Sequence, residues 1–147
     1  MMTIILAVVA TVMMASNPFE GFKYGMSKDE TMKLIEKKVE EGVFKKELGN
    51  KRFLLMPQHK YKSKKLKKIV ILQARFRFVG KELTDIEITP FTGGSMYLGG
   101  FSKGKARALQ SELRIKFKEL GADMEWELDV TQEGFYKVYT PKATLNL

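Results

Sequence analysis

The chain has 147 residues and a net charge of +9, with 44% hydrophobic and 29% charged residues, proportions that suit one folded domain and exclude a disordered chain. It contains no cysteine, which excludes disulfides, thiolate metal sites, thiol nucleophiles and a lipidated Cys anchor, and one histidine, which excludes a multi-His metal centre. The positive charge favours anionic partners but fixes no fold.

The first sixteen residues, MMTIILAVVATVMMAS, carry no charged side chain. As a helix, the apolar run from Ile4 to Met14 would rise about 16 Å, against about 30 Å for the core of a bilayer. That length suits the hydrophobic region of an export signal, and residues 1–16 are read as one. No Lys or Arg precedes the run, and a cut after Ala15 would put Met13 where a small residue is preferred. A retained leader acting as a short anchor, or a buried N-terminal element, are the other readings. Residues 17–147 are expected to form a single domain that keeps the whole charge.

Residues 17–26, NPFEGFKYGM, form a lead-in rich in Pro, Gly and aromatics. Ser27 with Glu30 is a capping box, and the helix it opens runs to about Glu41 with Met32, Ile35 and Val39 on one face and Gly42 as its stop. VFKKELGNKRFLLMP reads as two short strands around Gly49-Asn50. HKYKSKKLKK, residues 59–68, holds Lys60, Lys62, Lys64, Lys65, Lys67 and Lys68. The clearest strand, Lys68 to Val79, follows. It places Val70, Leu72, Ala74, Phe76 and Phe78 on one face and Gln73, Arg75 and Arg77 on the other. After Gly80-Lys81, LTDIEITPF returns with Ile86 and Ile88 apolar. A three-residue turn over Gly80–Glu82 pairs Val79 with Leu83, Phe76 with Ile86, Arg77 with Asp85 and Arg75 with Glu87, whereas a two-residue turn would put Phe76 opposite Asp85, so the first register is expected. Each charged pair contributes about 0.2–1 kcal/mol, enough to favour a register.

A glycine-rich stretch leads to a second helix, Ser102 to about Leu120, with Ala106, Leu109, Leu113, Phe117 and Leu120 in one stripe and Gly121 at its end. Met124, Trp126, Leu128 and Val130 alternate with Glu125, Glu127 and Asp129 in a half-buried strand. TQEG turns the chain, and FYKVYTPKATLNL supplies one or two last strands. The expected fold is α+β, an antiparallel sheet with two main helices on one face, in the order α-β-β-β-β-α-β-β with an optional final strand. The helices open alike, GMSK and GFSK, which shared capping chemistry explains more simply than duplication.

Residues 99–106, GGFSKGKA, match a phosphate-binding loop except at Ala106, which lacks the hydroxyl that ligates magnesium. A nucleotide-binding enzyme built on this segment is the remote reading. A milder one lets the helix start hold an anion with Lys103 and Lys105. The run Lys60, Lys62, Lys64, Lys65, Lys67 and Lys68, with Tyr61 interleaved, is the most distinctive surface feature. Glu125, Glu127 and Asp129 lack the loop of a calcium site and read as a polar strand face. His59 has no acid or nucleophile beside it, and Trp126 reads as core. No catalytic, cofactor or metal residues emerge.

Two stretches, FEGFKYGMSKDETMKLI (residues 19–35) and ARFRFVGKELTDIEI (residues 74–88), with the later helix and final strand pair, together give an order that resembles the β-lactamase-inhibitor-protein-like and outer-membrane-assembly small-lipoprotein-like domains. The chain departs from them in having no lipobox Cys and in having Ala122 after Gly121, where Pro often stands. The resemblance implies helices on an antiparallel sheet and a protein-binding role, and it transfers no catalytic residue. The expectation is an exported, periplasmic or extracellular, non-enzymatic binding domain of the bacterial envelope whose partner is another envelope or extracellular protein. A basic module binding anionic lipid or polymer through the lysine run is the alternative, and nucleic acid is not the expected partner.

Overall fold

The computed structural model describes residues 17–46, 52–55, 61–92 and 101–147. The expected leader, His59, Lys60 and the Gly49-Asn50 turn lie outside the described residues. Two helices, α1 (Lys28–Glu40) and α2 (Lys103–Glu119), and seven strands alternate in the expected order, with one short strand added. The strands are β1 (Phe44–Lys46), β2 (Arg52–Leu55), β3 (Tyr61–Lys62), β4 (Ile69–Val79), β5 (Glu82–Thr92), β6 (Met124–Glu133) and β7 (Tyr136–Leu145). They form one antiparallel sheet in the order β1-β2-β4-β5-β7-β6, with β3 paired to β4 beyond β2.

Both helices lie on the sheet face that carries Val70, Leu72, Ala74, Phe76, Ile86, Ile88, Ala143 and Leu145, and with Ile35, Leu109, Leu113 and Phe117 these form one buried core. The helices are fixed by the same chemistry at both ends. Ser27 Oγ accepts from Glu30 N–H, and Ser102 Oγ accepts from Lys105 N–H. At the other end Val43 N–H reaches Lys38 O, and Ala122 N–H reaches Phe117 O, with Gly42 and Gly121 in left-handed conformation between. Each helix is also tied back to a strand just before its cap. Leu83 N–H donates to Met26 O, and Tyr139 N–H donates to Phe101 O.

The β4–β5 register is the expected one along most of its length: Phe76 faces Ile86, Arg77 faces Asp85 and Arg75 faces Glu87. The hairpin end differs. Val79 pairs with Glu82 and Phe78 with Leu83, so the turn has two residues, Gly80 and Lys81, with Gly80 at φ +63. Thr84 is then the extra residue of a β-bulge, and its hydroxyl donates to Arg77 O. The bulge undoes the one-residue slip of the tight turn, so Leu83, Ile86 and Ile88 are all buried. The last hairpin is tighter than expected too: β6 continues through Thr131–Glu133, and the turn is Gly134-Phe135.

The lead-in is part of the core. Phe19 and Phe22 are buried and meet Phe44 and Phe76 in a cluster with ring centroids 5.2–6.2 Å apart. Lys38 lies with its stem buried and its ammonium 5.8 Å from the centre of the Phe22 ring. Burial lowers its pKa, with Glu41 and Glu20 acting against that shift.

β5 and β7 pair only at Glu87–Thr144 and Ile88–Ala143. Two residues further along, the same register would set Pro90 opposite Pro141, and neither can donate to a ladder. At the opposite end Tyr24 is inserted: its hydroxyl accepts from Ile86 N–H at 3.2 Å and donates to Leu145 O at 2.5 Å. Tyr24→Phe should cost about 1–3 kcal/mol in urea unfolding, because two strand groups lose their bridge. Burial above all, reinforced by Asp85 and opposed by the Ile86 N–H, raises the Tyr24 pKa above 10.0. The neutral hydroxyl's contribution is therefore whole below about pH 10 and is lost as the pH rises through the folded value. In an ultraviolet titration, Tyr24→Phe should remove one tyrosine ionisation from the part of the curve above pH 10.0. An unchanged curve there would refute the assignment.

Candidate functional site

Three surfaces stand outside the core. The lysine run is the first. From Ser63 to Lys68 it is a turn between β3 and β4, built around Ser63, which is buried. Ser63 N–H donates to Lys68 O and Lys67 N–H donates to Ser63 O, both at 2.9 Å, while Leu66 N–H donates to Ser63 Oγ at 3.1 Å. Lys67 takes φ +55, a left-handed conformation that side-chain-bearing residues seldom adopt. Glu112 of α2 clamps the turn: Ser63 Oγ–H and Lys64 N–H donate to its two carboxylate oxygens, each at 2.6 Å. Lys62, Lys64, Lys65, Lys67 and Lys68 are exposed, and none of the ion pairs among the described residues involves them.

The structure brings only part of the expected anion set together. Lys105 stands two helical turns before Glu112 on the same stripe of α2, about 10 Å along the axis from the clamp. Lys103 points elsewhere, with its ammonium 6.0 Å from the centre of the Tyr139 ring on β7. Glu112 was not singled out in the sequence, although it is one of only two acids in α2. Gly99 and Gly100 of the segment resembling a phosphate loop lie outside the described residues, and the rest of it starts a helix: Ser102 is the N-cap, Gly104 and Lys105 belong to the first turn, and every strand pairing described is antiparallel. The parallel strand and crossover helix that frame a phosphate loop have no counterpart among these pairings.

The second surface is the sheet face opposite the helices. A row of charges crosses four strands there. Arg77 Nη2 lies 3.0 Å from Glu87 Oε2, and Lys142 Nζ lies 3.6 Å from Glu87 Oε1 and 3.4 Å from Glu127 Oε1. Arg77 thus bonds diagonally to Glu87 and not to Asp85 opposite it. Partial burial works against protonation of Lys142, but Glu87 and then Glu127 outweigh it and raise its pKa. Glu127 is thereby taken up by a neighbouring cation.

The third surface is β6 itself. It is the last strand of the sheet, and no strand pairs with its outer edge among the described residues. Beside it, where α2 ends, lies an open hollow of about 520 Å³ bounded by Phe117, Met124 and Trp126, with Arg114, Lys118 and Asp123 around it. Trp126 is half-buried, its ring centroid 6.4 Å from that of Phe117, so it is both edge of the core and wall of the hollow. Val130 is 51% exposed, and the turn beyond carries Phe135, fully exposed, and Tyr136 at 77%. The sequence marks the alternation of β6 but gives no sign that the strand lies at a margin.

No described helix is long and apolar enough to cross a membrane. Compared with known protein families, curated proteins and solved structures, the chain matches none of them.

Proposed function

We propose that the chain is an exported, non-enzymatic binding domain of the cell envelope and that its partner is another protein. The observation that carries this reading is the outer edge of β6, which no strand pairs with among the described residues, beside the Trp126 hollow. An unpaired strand exposes a row of backbone donors and acceptors, and an adjoining hollow lined by both apolar and charged side chains gives a partner's side chain somewhere to go. The uncharged leader-like start supports export.

The test is a photo-cross-linking amino acid placed at Leu128, and separately at Lys65, in the full chain secreted by a bacterial host. A protein adduct in the periplasmic or secreted fraction is expected. Absence of any protein adduct from both positions would overturn the reading, as would turnover of a substrate by the purified chain that mutation of one polar cluster abolishes.

A second reading is favoured by the Glu112 clamp, which holds Lys64, Lys65, Lys67 and Lys68 on one ordered turn facing solvent. Such a turn suits anionic lipid headgroups or an anionic polymer. Its binding to anionic vesicles should fall steeply with salt, and salt-insensitive binding would dismiss it.

A further inference from the structure

We infer that β6 accepts an extended segment of the partner as an added strand, and that the segment alternates apolar with basic side chains and carries an acidic one beside the hollow. This rests on the reading of the chain as a protein-binding domain. Successive residues of β6 point to opposite faces. Met124, Trp126, Leu128 and Val130 make an apolar lane on the helix side, while Glu125, Glu127 and Asp129 make an acidic lane on the other, in which Lys142 holds Glu127 and leaves Glu125 and Asp129 outside the ion pairs described. A strand laid along the edge inherits this division. Its apolar side chains meet the Trp126 lane, and its basic ones face the acidic lane.

The helix adds a third constraint. Arg114 and Lys118 stand at the hollow, above the apolar lane. A carboxylate there meets two cations against the single carboxylate of Asp123, so one side chain of the apolar set is replaced by Asp or Glu, or the segment ends there in its own carboxylate. The same charges argue against a second copy as occupant. Pairing β6 with its two-fold mate about Glu127 would set Glu127 against its own image and Glu125 against Asp129, like charges directly opposed.

The probe is a synthetic peptide of about ten residues, alternating Lys with Leu, one Leu near an end replaced by Glu, and free of aromatic residues. Trp126 is the only tryptophan in the chain, so its emission reports this site alone. With the full chain, the peptide should shift the Trp126 emission saturably. Exchanging its Lys for Glu, or methylating alternate backbone amides, should weaken binding by about tenfold or more. Glu125→Lys should narrow or invert the preference for the Lys peptide. No saturable shift with the Lys peptide, or equal binding of the methylated one, overturns the inference. So does an emission change that depends on protein concentration without peptide, which would assign the edge to a second copy. Protein adducts that map to Lys65 and not to Leu128 also overturn it, while leaving the broader reading of a protein-binding domain in place.

Discussion

Phe44→Ala is expected to lower the unfolding free energy by about 3–5 kcal/mol, a large share of what a domain of this size has to lose. Phe44 is 1% exposed, on a three-residue strand whose hydrogen bonds alone could not hold it in place. What holds it is the ring cluster: Phe19 at 6.0 Å, Phe22 at 6.2 Å and Phe76 at 6.2 Å between centroids. Deleting the ring removes its transfer energy and leaves a cavity walled by three other rings, one on the central strand β4 and two on the lead-in, none of which can fill it without unseating the other two. Phe22→Ala should be similarly costly. The double variant should cost less than the two single losses combined, because the second deletion enlarges a cavity that already exists. Phe135→Ala, at a fully exposed turn, is the control and should change stability by less than about 0.5 kcal/mol. Denaturant midpoints check all four. A loss below about 1 kcal/mol for Phe44→Ala would mean that the lead-in and β1 are not anchored by this cluster.

The same cluster shows what a sequence conceals. Alternation along 70–78, the helical stripe of Leu109, Leu113 and Phe117, and the caps at Ser27 and Ser102 each reflect local periodicity or local hydrogen bonding, so they could be read directly. NPFEGFKYGM has no period, so the burial of Phe19 and Phe22 could not be read from it. The hairpin was half legible. Matching faces required one residue of slack between Phe76–Ile86 and the turn, and the spacing of Leu83, Ile86 and Ile88 records it. Whether the slack sits in the turn or in a bulge at Thr84 depends on turn chemistry, and Gly80 at φ +63 decides for the two-residue turn. Tyr24 between β5 and β7, and the prolines that would face each other at 90 and 141, depend on contacts between segments far apart in sequence. Neither becomes visible until β7 is known to lie beside β5. The β6 edge has the same origin, since a strand's place in a sheet is a property of the other strands.

Glu112→Gln separates two meanings of the lysine turn. The carboxylate now receives two short hydrogen bonds, from Ser63 Oγ–H and Lys64 N–H. An amide can accept from Lys64 N–H and donate to the Ser63 hydroxyl, but neither bond keeps its charge assistance, so the variant should lose about 0.5–1.5 kcal/mol of stability and Glu112→Ala, which removes both bonds, about 1–3 kcal/mol. The substitution also raises the net charge by one. A surface that attracts anions through charge alone would therefore bind anionic vesicles slightly more tightly in the variant. A turn that binds because its lysines are held in one arrangement, with Lys67 kept at positive φ by the bonds around Ser63, should bind them less tightly despite the added charge. The second result is the expected one if the turn is a site. Co-sedimentation with anionic vesicles at low salt, run beside a Lys65→Ala, Lys67→Ala variant with Glu112 intact, reads the difference. Weakening by both changes would establish that order and charge act together. Tightening by Glu112→Gln would reduce the lysine run to a solvated, highly charged connection.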